Sequence, residues 1–217
     1  MVLPGQFLER PAIIKEKNLH LDGLFQKGRL PKGENIPYPP ALIAPSRPPY
    51  GAGMVSPVVA EITYAFYKIG CPTLRFDFRG VGASQGKASD DLKAGEKDFI
   101  SAARLLKETI GTEVYLAAGY SFGAYIAYRC AASEPFIKLI LLAPLLRELD
   151  FFSLPSPHCP VLIIAGEQDS LCPVKEARKL IEPLRERGKI KIVREANQSF
   201  TAGLGEIVPS IREFVGE

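Results

Sequence analysis

Apolar and polar positions along the chain switch repeatedly between two periods. Short alternating or continuous apolar runs occur at Ala12–Glu16, Leu19–Phe25, Ala41–Ala44, Thr73–Phe78, Val114–Ala118, Ile137–Leu142, Val161–Ala165 and Lys189–Arg194, and these predict strands. In Thr73–Phe78 the side chains of Leu74, Phe76 and Phe78 share one face, and those of Arg75 and Asp77 the other. Between these runs, Val58–Ile69, Asp90–Thr109, Phe122–Ser133, Lys175–Arg187 and Ile207–Val215 carry helical periodicity. Gly70 and Gly188 supply stop signals, and acids open the Asp90 helix, which suits its N-terminal dipole. Lys27–Pro40 is rich in Pro, Gly and charge and reads as loop. Strand and helix alternate after an opening β-hairpin, so the expected fold is α/β, with a doubly wound, mostly parallel sheet covered on both faces.

Composition narrows this. With 217 residues, 47% hydrophobic and 24% charged, the chain is expected to form a single domain over residues 1–217 with a packed core. The formal net charge is only +3 and reads as spread along the chain, with no Lys/Arg cluster, so no nucleic-acid groove is expected. The apolar stretch Ile137–Leu146 is too short for a bilayer, and the first residues do not read as a signal peptide; no membrane association and a cytoplasmic location are the expectation. The four cysteines, Cys71, Cys130, Cys159 and Cys172, form no C-x-x-C pair and read as free thiols. Histidine occurs only twice, as His20 and His158, which excludes a His-rich metal site; no metal and no cofactor are expected.

In open parallel sheets chemistry sits at the carboxyl ends of the strands. Gly119-Tyr120-Ser121-Phe122-Gly123 matches G-x-S-x-G with a strand before it and a helix after it, the setting that forces a serine onto a sharp, exposed turn. Asp169, in Gly166-Glu167-Gln168-Asp169, follows a later strand with one strand between it and the serine. The loop after Ala41–Ala44 is a source of backbone N–H groups. Ser46 N–H and Phe122 N–H are the candidate oxyanion donors, since Pro45 has none. Arg47, Tyr50 and Tyr120 are candidate substrate-binding side chains. Gly80-x-Gly82-x-x-x-Gly86 is one residue too long for a dinucleotide fingerprint and reads better as a turn.

Three segments together resemble the α/β-hydrolase superfamily, most closely a small, cap-less group of prokaryotic serine hydrolases: the run from Thr73 to Gly86, Gly119–Ala124, and Gly166–Asp169. The resemblance implies Ser121 as nucleophile and Asp169 as the acid that orients a histidine. It also implies an open site, because only Ala143–Pro160 separates two strands where larger relatives insert a lid. The family places its histidine after the last strand, and here that segment reads Glu195-Ala-Asn-Gln-Ser-Phe200, with Gln198 at the histidine position. Close relatives also carry His-Pro-His after the third strand, where this chain has Ala44-Pro45-Ser46. A glutamine is able to hydrogen-bond both Ser121 and Asp169 but accepts no proton at ordinary pH. The expectation is a weak or inactive hydrolase that acts as an interaction module or as a binder of a small acyl or carboxylate ligand. The alternative is a working esterase, thioesterase or peptidase with a substitute base. His158, His20 and a Ser-x-x-Lys arrangement (Ala124 stands there) are poor substitutes, a distant lysine such as Lys175 stays open, and Cys172 without a histidine is a poor nucleophile.

Overall fold

A computed structural model describes residues 8–28, 38–46, 52–89 and 91–216. Its eight strands are β1 (Arg10–Glu16), β2 (Leu19–Gln26), β3 (Ala41–Ala44), β4 (Thr73–Phe76), β5 (Tyr115–Tyr120), β6 (Phe136–Leu142), β7 (Val161–Gly166) and β8 (Gly188–Val193). They form one sheet in the order β1-β2-β4-β3-β5-β6-β7-β8. The β1–β2 and β2–β4 pairs are antiparallel and the rest parallel, as the alternation of periods predicts. Five helices cover the sheet: α1 (Pro57–Lys68), α2 (Leu92–Ile110), α3 (Phe122–Cys130), α4 (Val174–Ile181) and α5 (Ile207–Gly216).

The central strands read as unbroken apolar runs because both faces are buried. On β6, Leu139 and Leu141 join Phe99, Phe122 and Ile126 beneath α2 and α3. Ile140 and Leu142, one residue out of phase, join Val59, Ile62 and Phe66 of α1 and Ile211 and Phe214 of α5. Tyr115 and Phe136 meet edge to face at 5.1 Å and close the amino ends of β5 and β6.

Several boundaries shift for local reasons. β4 stops at Phe76; Asp77 N–H makes one more bond to Asp22 O of β2 (2.9 Å) before the chain turns, and Phe78 is nonetheless buried. The helix expected from Asp90 begins at Leu92, and Asp91 serves as its cap, with a carboxylate oxygen accepting from Lys93 N–H at 3.0 Å. The helix expected through Arg187 ends at Ile181. Pro183 has no N–H to continue it, and the chain runs on as a 3-10 turn in which Arg185 has φ 52°. β5 runs one residue beyond Gly119, so it delivers Tyr120 directly to Ser121. Residues 143–160, between β6 and β7, hold no helix or strand.

Gly123 allows α3 to lie against the end of β3. A Cβ there would fall closer than 3.0 Å to the carbonyls of Ala44 and Pro45, both backbone. Gly123→Ala is therefore expected to cost about 1–3 kcal/mol or more, as overpacking against an immovable wall does. Gly205→Ala, at a glycine with nothing within 4 Å, is expected to stay within about 0.5 kcal/mol of wild type. Chemical denaturation of the two variants checks the contrast.

Candidate active site

Ser121 sits between β5 and α3 with φ 57° and ψ −113°, a backbone conformation that costs a non-glycine residue on the order of 1–3 kcal/mol. It is held there by its neighbours. Ser121 N–H donates to Leu142 O (2.9 Å), Ala124 N–H donates to Ser121 O (3.1 Å), and Gly123 N–H donates to Pro45 O (3.0 Å). Gly119 is the second requirement, since a Cβ there would collide with the backbone of Gly123 and Ala124. The G-x-S-x-G glycines thus make room for the turn, as the spacing predicts. Phe122 starts α3, so its N–H lacks an intrahelical acceptor, while its ring is buried against Phe78 at 5.3 Å. Phe122 is not among the residues that line the cleft.

Asp169 follows β7 and is nearly buried. One carboxylate oxygen accepts from Leu171 N–H (2.8 Å) and Cys172 N–H (3.1 Å). Its other oxygen, Oδ2, is buried without a hydrogen-bond partner. Burial pushes the carboxyl above its ordinary range, and the two backbone donors pull only part of the way back. The loop after β8 is stitched to this one. Glu167 N–H donates to Val193 O and Gln168 N–H to Ala196 O (both 2.9 Å), and Gly166 leaves space for the Ala196 carbonyl.

That stitching delivers Gln198 to the cleft, over the end of β6 and so between the serine and acid strands. Its Nε2 donates to Ala143 O at 3.1 Å, and its own carbonyl accepts from Tyr120 Oη–H at 3.1 Å. Burial raises the Tyr120 phenol, which keeps it a donor. The expected bridge from Gln198 to Ser121 and Asp169 is not made. Ala143 ends β6 at φ 42°, and its carbonyl takes the amide hydrogen instead. Gln198 Oε1 is left buried and unpartnered, like Asp169 Oδ2.

A cleft of about 450 Å³ opens above these groups, lined by Ser46, Tyr120, Ser121 and Gln198 from the sequence-derived set. Asp169 lies behind the lining rather than in it, with Leu171 at the surface. Ser56, Val58, Leu145, Glu148 and Ser199 complete much of the wall. Sequence motifs marked none of these, and only Ser56 carried a signal, as a helix cap before Pro57 (Val59 N–H donates to its hydroxyl at 3.2 Å). Arg47 and Tyr50 lie outside the described residues.

The other sequence candidates are placed elsewhere. His158 lines a separate hollow with Phe136 and Pro160, at the amino ends of β6 and β7. His20 lies on β2 near the antiparallel edge. Lys175 lines a groove on α4 that shares no residue with the cleft. Burial, with Asp169 beside it, pushes the Cys172 thiol far up, so it holds its proton. Gly82 (φ 57°) makes room for the Asp77 carboxylate, and Gly80 (φ 70°) for the backbone at Ala88, so these glycines pack rather than cradle a phosphate. Asp77 Oδ1 in turn accepts from Met54 N–H (2.6 Å) while Arg75 donates to Met54 O (2.7 Å), which hangs the Ala52–Ser56 wall of the cleft from β4.

A mostly parallel sheet with a strained serine turn after β5, an acid after β7 and a third polar group after β8 is the framework of an α/β hydrolase of the serine type. The chain has the α/β-hydrolase fold, and the family model described as serine aminopeptidase, S33, matches its residues 50–157. An uncharacterised protein of Rickettsia prowazekii is 29% identical over 204 residues, covering 87% of this chain and 83% of its own. Among solved structures, an α/β-serine-hydrolase homologue from Coxiella burnetii superposes with a TM-score of 0.82 at 25% identity, covering 99% of both chains. A protein of unknown function from Agrobacterium tumefaciens, described as an α/β hydrolase, gives 0.84 at 27%, covering 95% of both. A serine hydrolase without lid from Xanthomonas campestris shares the fold, at 0.82 and 23% identity over 100% of this chain and 96% of its own.

The raised Asp169 carboxyl has a consequence for stability. The native state keeps this proton to higher pH than the unfolded chain does, so stability is lost as pH rises from the unfolded carboxyl range through the raised native one, and stays lost above it. Asp169→Asn keeps an acceptor for Leu171 and Cys172 and removes that cost. Its melting temperature is expected to exceed that of wild type at neutral pH, with the gap closing as the pH is lowered below about 4.

Proposed function

We propose that the cleft is a serine-hydrolase site whose general base has been replaced by Gln198, so that it binds acyl groups and turns them over weakly or not at all. The observation that carries this reading is the position of Gln198. It lines the same cleft as Ser121, over the strand between serine and acid, and its amide is committed to Ala143 O. No imidazole stands there to take the serine proton, and the amide cannot. The oxyanion donors, Phe122 N–H and Ser46 N–H, are independent of the base, so binding of an acyl carbonyl is retained. Among the described lining residues the only charged side chain is Glu148. A working esterase, thioesterase or peptidase is the second reading. The observation that favours it is Asp169, a buried carboxyl with a free oxygen and a raised affinity for protons.

Short-chain p-nitrophenyl esters separate the two. Loss of the base in such a triad costs on the order of 10⁴–10⁶ in rate. Wild type is therefore expected near background, and Gln198→His to gain about 10²-fold or more, a gain that disappears when Ser121→Ala is added. Efficient turnover by wild type that Ser121→Ala abolishes would overturn the loss of function and establish the substitute base.

A further inference from the structure

The small net charge hides a strong asymmetry, which corrects the expectation that charge is spread along the chain. Residues 175–194 hold eight Lys or Arg against three Glu, a net of +5, so the rest of the chain carries −2 of the total +3. This segment is α4, the 3-10 turn Glu182–Arg187 and strand β8. Folding divides its cations: Lys175, Arg178, Lys179 and Arg185 lie on and after α4 on one side of the sheet, while Lys189 and Lys191 face α5 on the other. Lys175, Arg178, Lys179, Arg185, Arg187, Lys189 and Arg194 are all exposed. Lys175, Arg178, Lys179 and Arg185 line a groove of about 820 Å³ that runs along α4 to Gly188, the first residue of β8.

The carboxylates nearby do little to neutralise it. Glu176 is taken by Arg147 at 3.3 Å, and Lys191 is paired with Glu206 at 3.0 Å. Among the described residues, Lys175, Arg178, Arg185 and Arg194 have no carboxylate partner, and Lys179 lies 5.1 Å from the ring of Phe152, an exposed aromatic. β8 is also the last strand of the sheet, paired with β7 on one side only.

We propose that this groove is a docking site for an acidic, extended polypeptide segment of a partner protein. Charge selects an anion, and the remaining lining selects its kind. Glu182 and Ile181 also face the groove, and exposed Phe152 borders Lys179. A polypeptide offers cations and apolar side chains to these as well as carboxylates to the lysines and arginines. A phosphodiester backbone offers neither, and would meet Glu182 with like charge. The concave shape does not fit the plane of a lipid surface. A second copy of this chain meeting this one groove to groove would set Lys175, Arg178 and Lys179 against the same cations, which disfavours it. An acidic strand meets the same edge with attraction.

The test is fluorescence anisotropy of the full chain with a short labelled peptide of mixed glutamate and leucine. Saturable binding that weakens with salt is expected. Lys175→Glu/Arg178→Glu/Lys179→Glu is expected to weaken it about tenfold or more, with a smaller loss in the neutral Arg178→Gln/Lys179→Gln variant. The charge-matched Lys93→Glu/Lys97→Glu/Arg104→Glu variant on exposed positions of α2 is expected to bind like wild type. Circular dichroism confirms that each variant is folded. Three results overturn the proposal: no saturable binding to wild type, equal loss in the groove and α2 variants, or tighter groove-dependent binding of oligothymidylate or of phosphatidylserine vesicles than of the peptide.

Discussion

The close approach of the start of α3 to the ends of β3 and β5 is the constraint on which the site rests. It is possible only because Gly119 and Gly123 have no Cβ, and it is locked by the hydrogen bond from Gly123 to Pro45 O. With α3 so placed, Ser121 has no unstrained backbone conformation left to it, and its strain is borne by the packing of Phe122 and Ile126 beneath. The same contact fixes Ser46 relative to the serine turn, since Pro45 is its direct neighbour. One backbone contact therefore sets Ser121, the loop after β3 and the start of α3 at once.

On the other side of the site the loops after β7 and β8 depend on each other. Each lends the other a carbonyl or an N–H, so Asp169 and Gln198 move as a unit. The result is an acid and an amide with one unpartnered buried oxygen each. Unpaired acceptors of this kind are costly, on the order of 1–3 kcal/mol each.

Much of this was legible in the chain. The two hydrophobic periods are strong over Ile137–Leu142 and Val161–Ala165 because both faces of those strands are buried, and the mostly parallel pairing follows from the alternation with helices. The serine turn was legible because a steric demand leaves glycines at fixed spacing. The acid was legible from its place after a strand. Less was visible where the signal is tertiary. Nothing in the sequence around Glu148 or Leu145 shows that they line the cleft, because residues 143–160 carry no periodicity. The partner of the Gln198 amide depended on the backbone conformation at Ala143, which no local pattern encodes. The basic face was concealed by an overall sum in which opposite regions cancel.

Among the described residues, 143–160 lay no helix or strand over the cleft, which shifts part of the work of excluding water from them to whatever binds there. A small molecule in such a hollow stays hydrated on its outer side, and the protein's N–H donors then compete with bulk water for its polar atoms. A broad ligand brings its own cover. It dries the cleft as it binds and strengthens each polar contact beneath it. A hollow of this shape therefore grades ligands by how much of themselves they leave outside, favouring a group presented on a large surface over the same group free in solution.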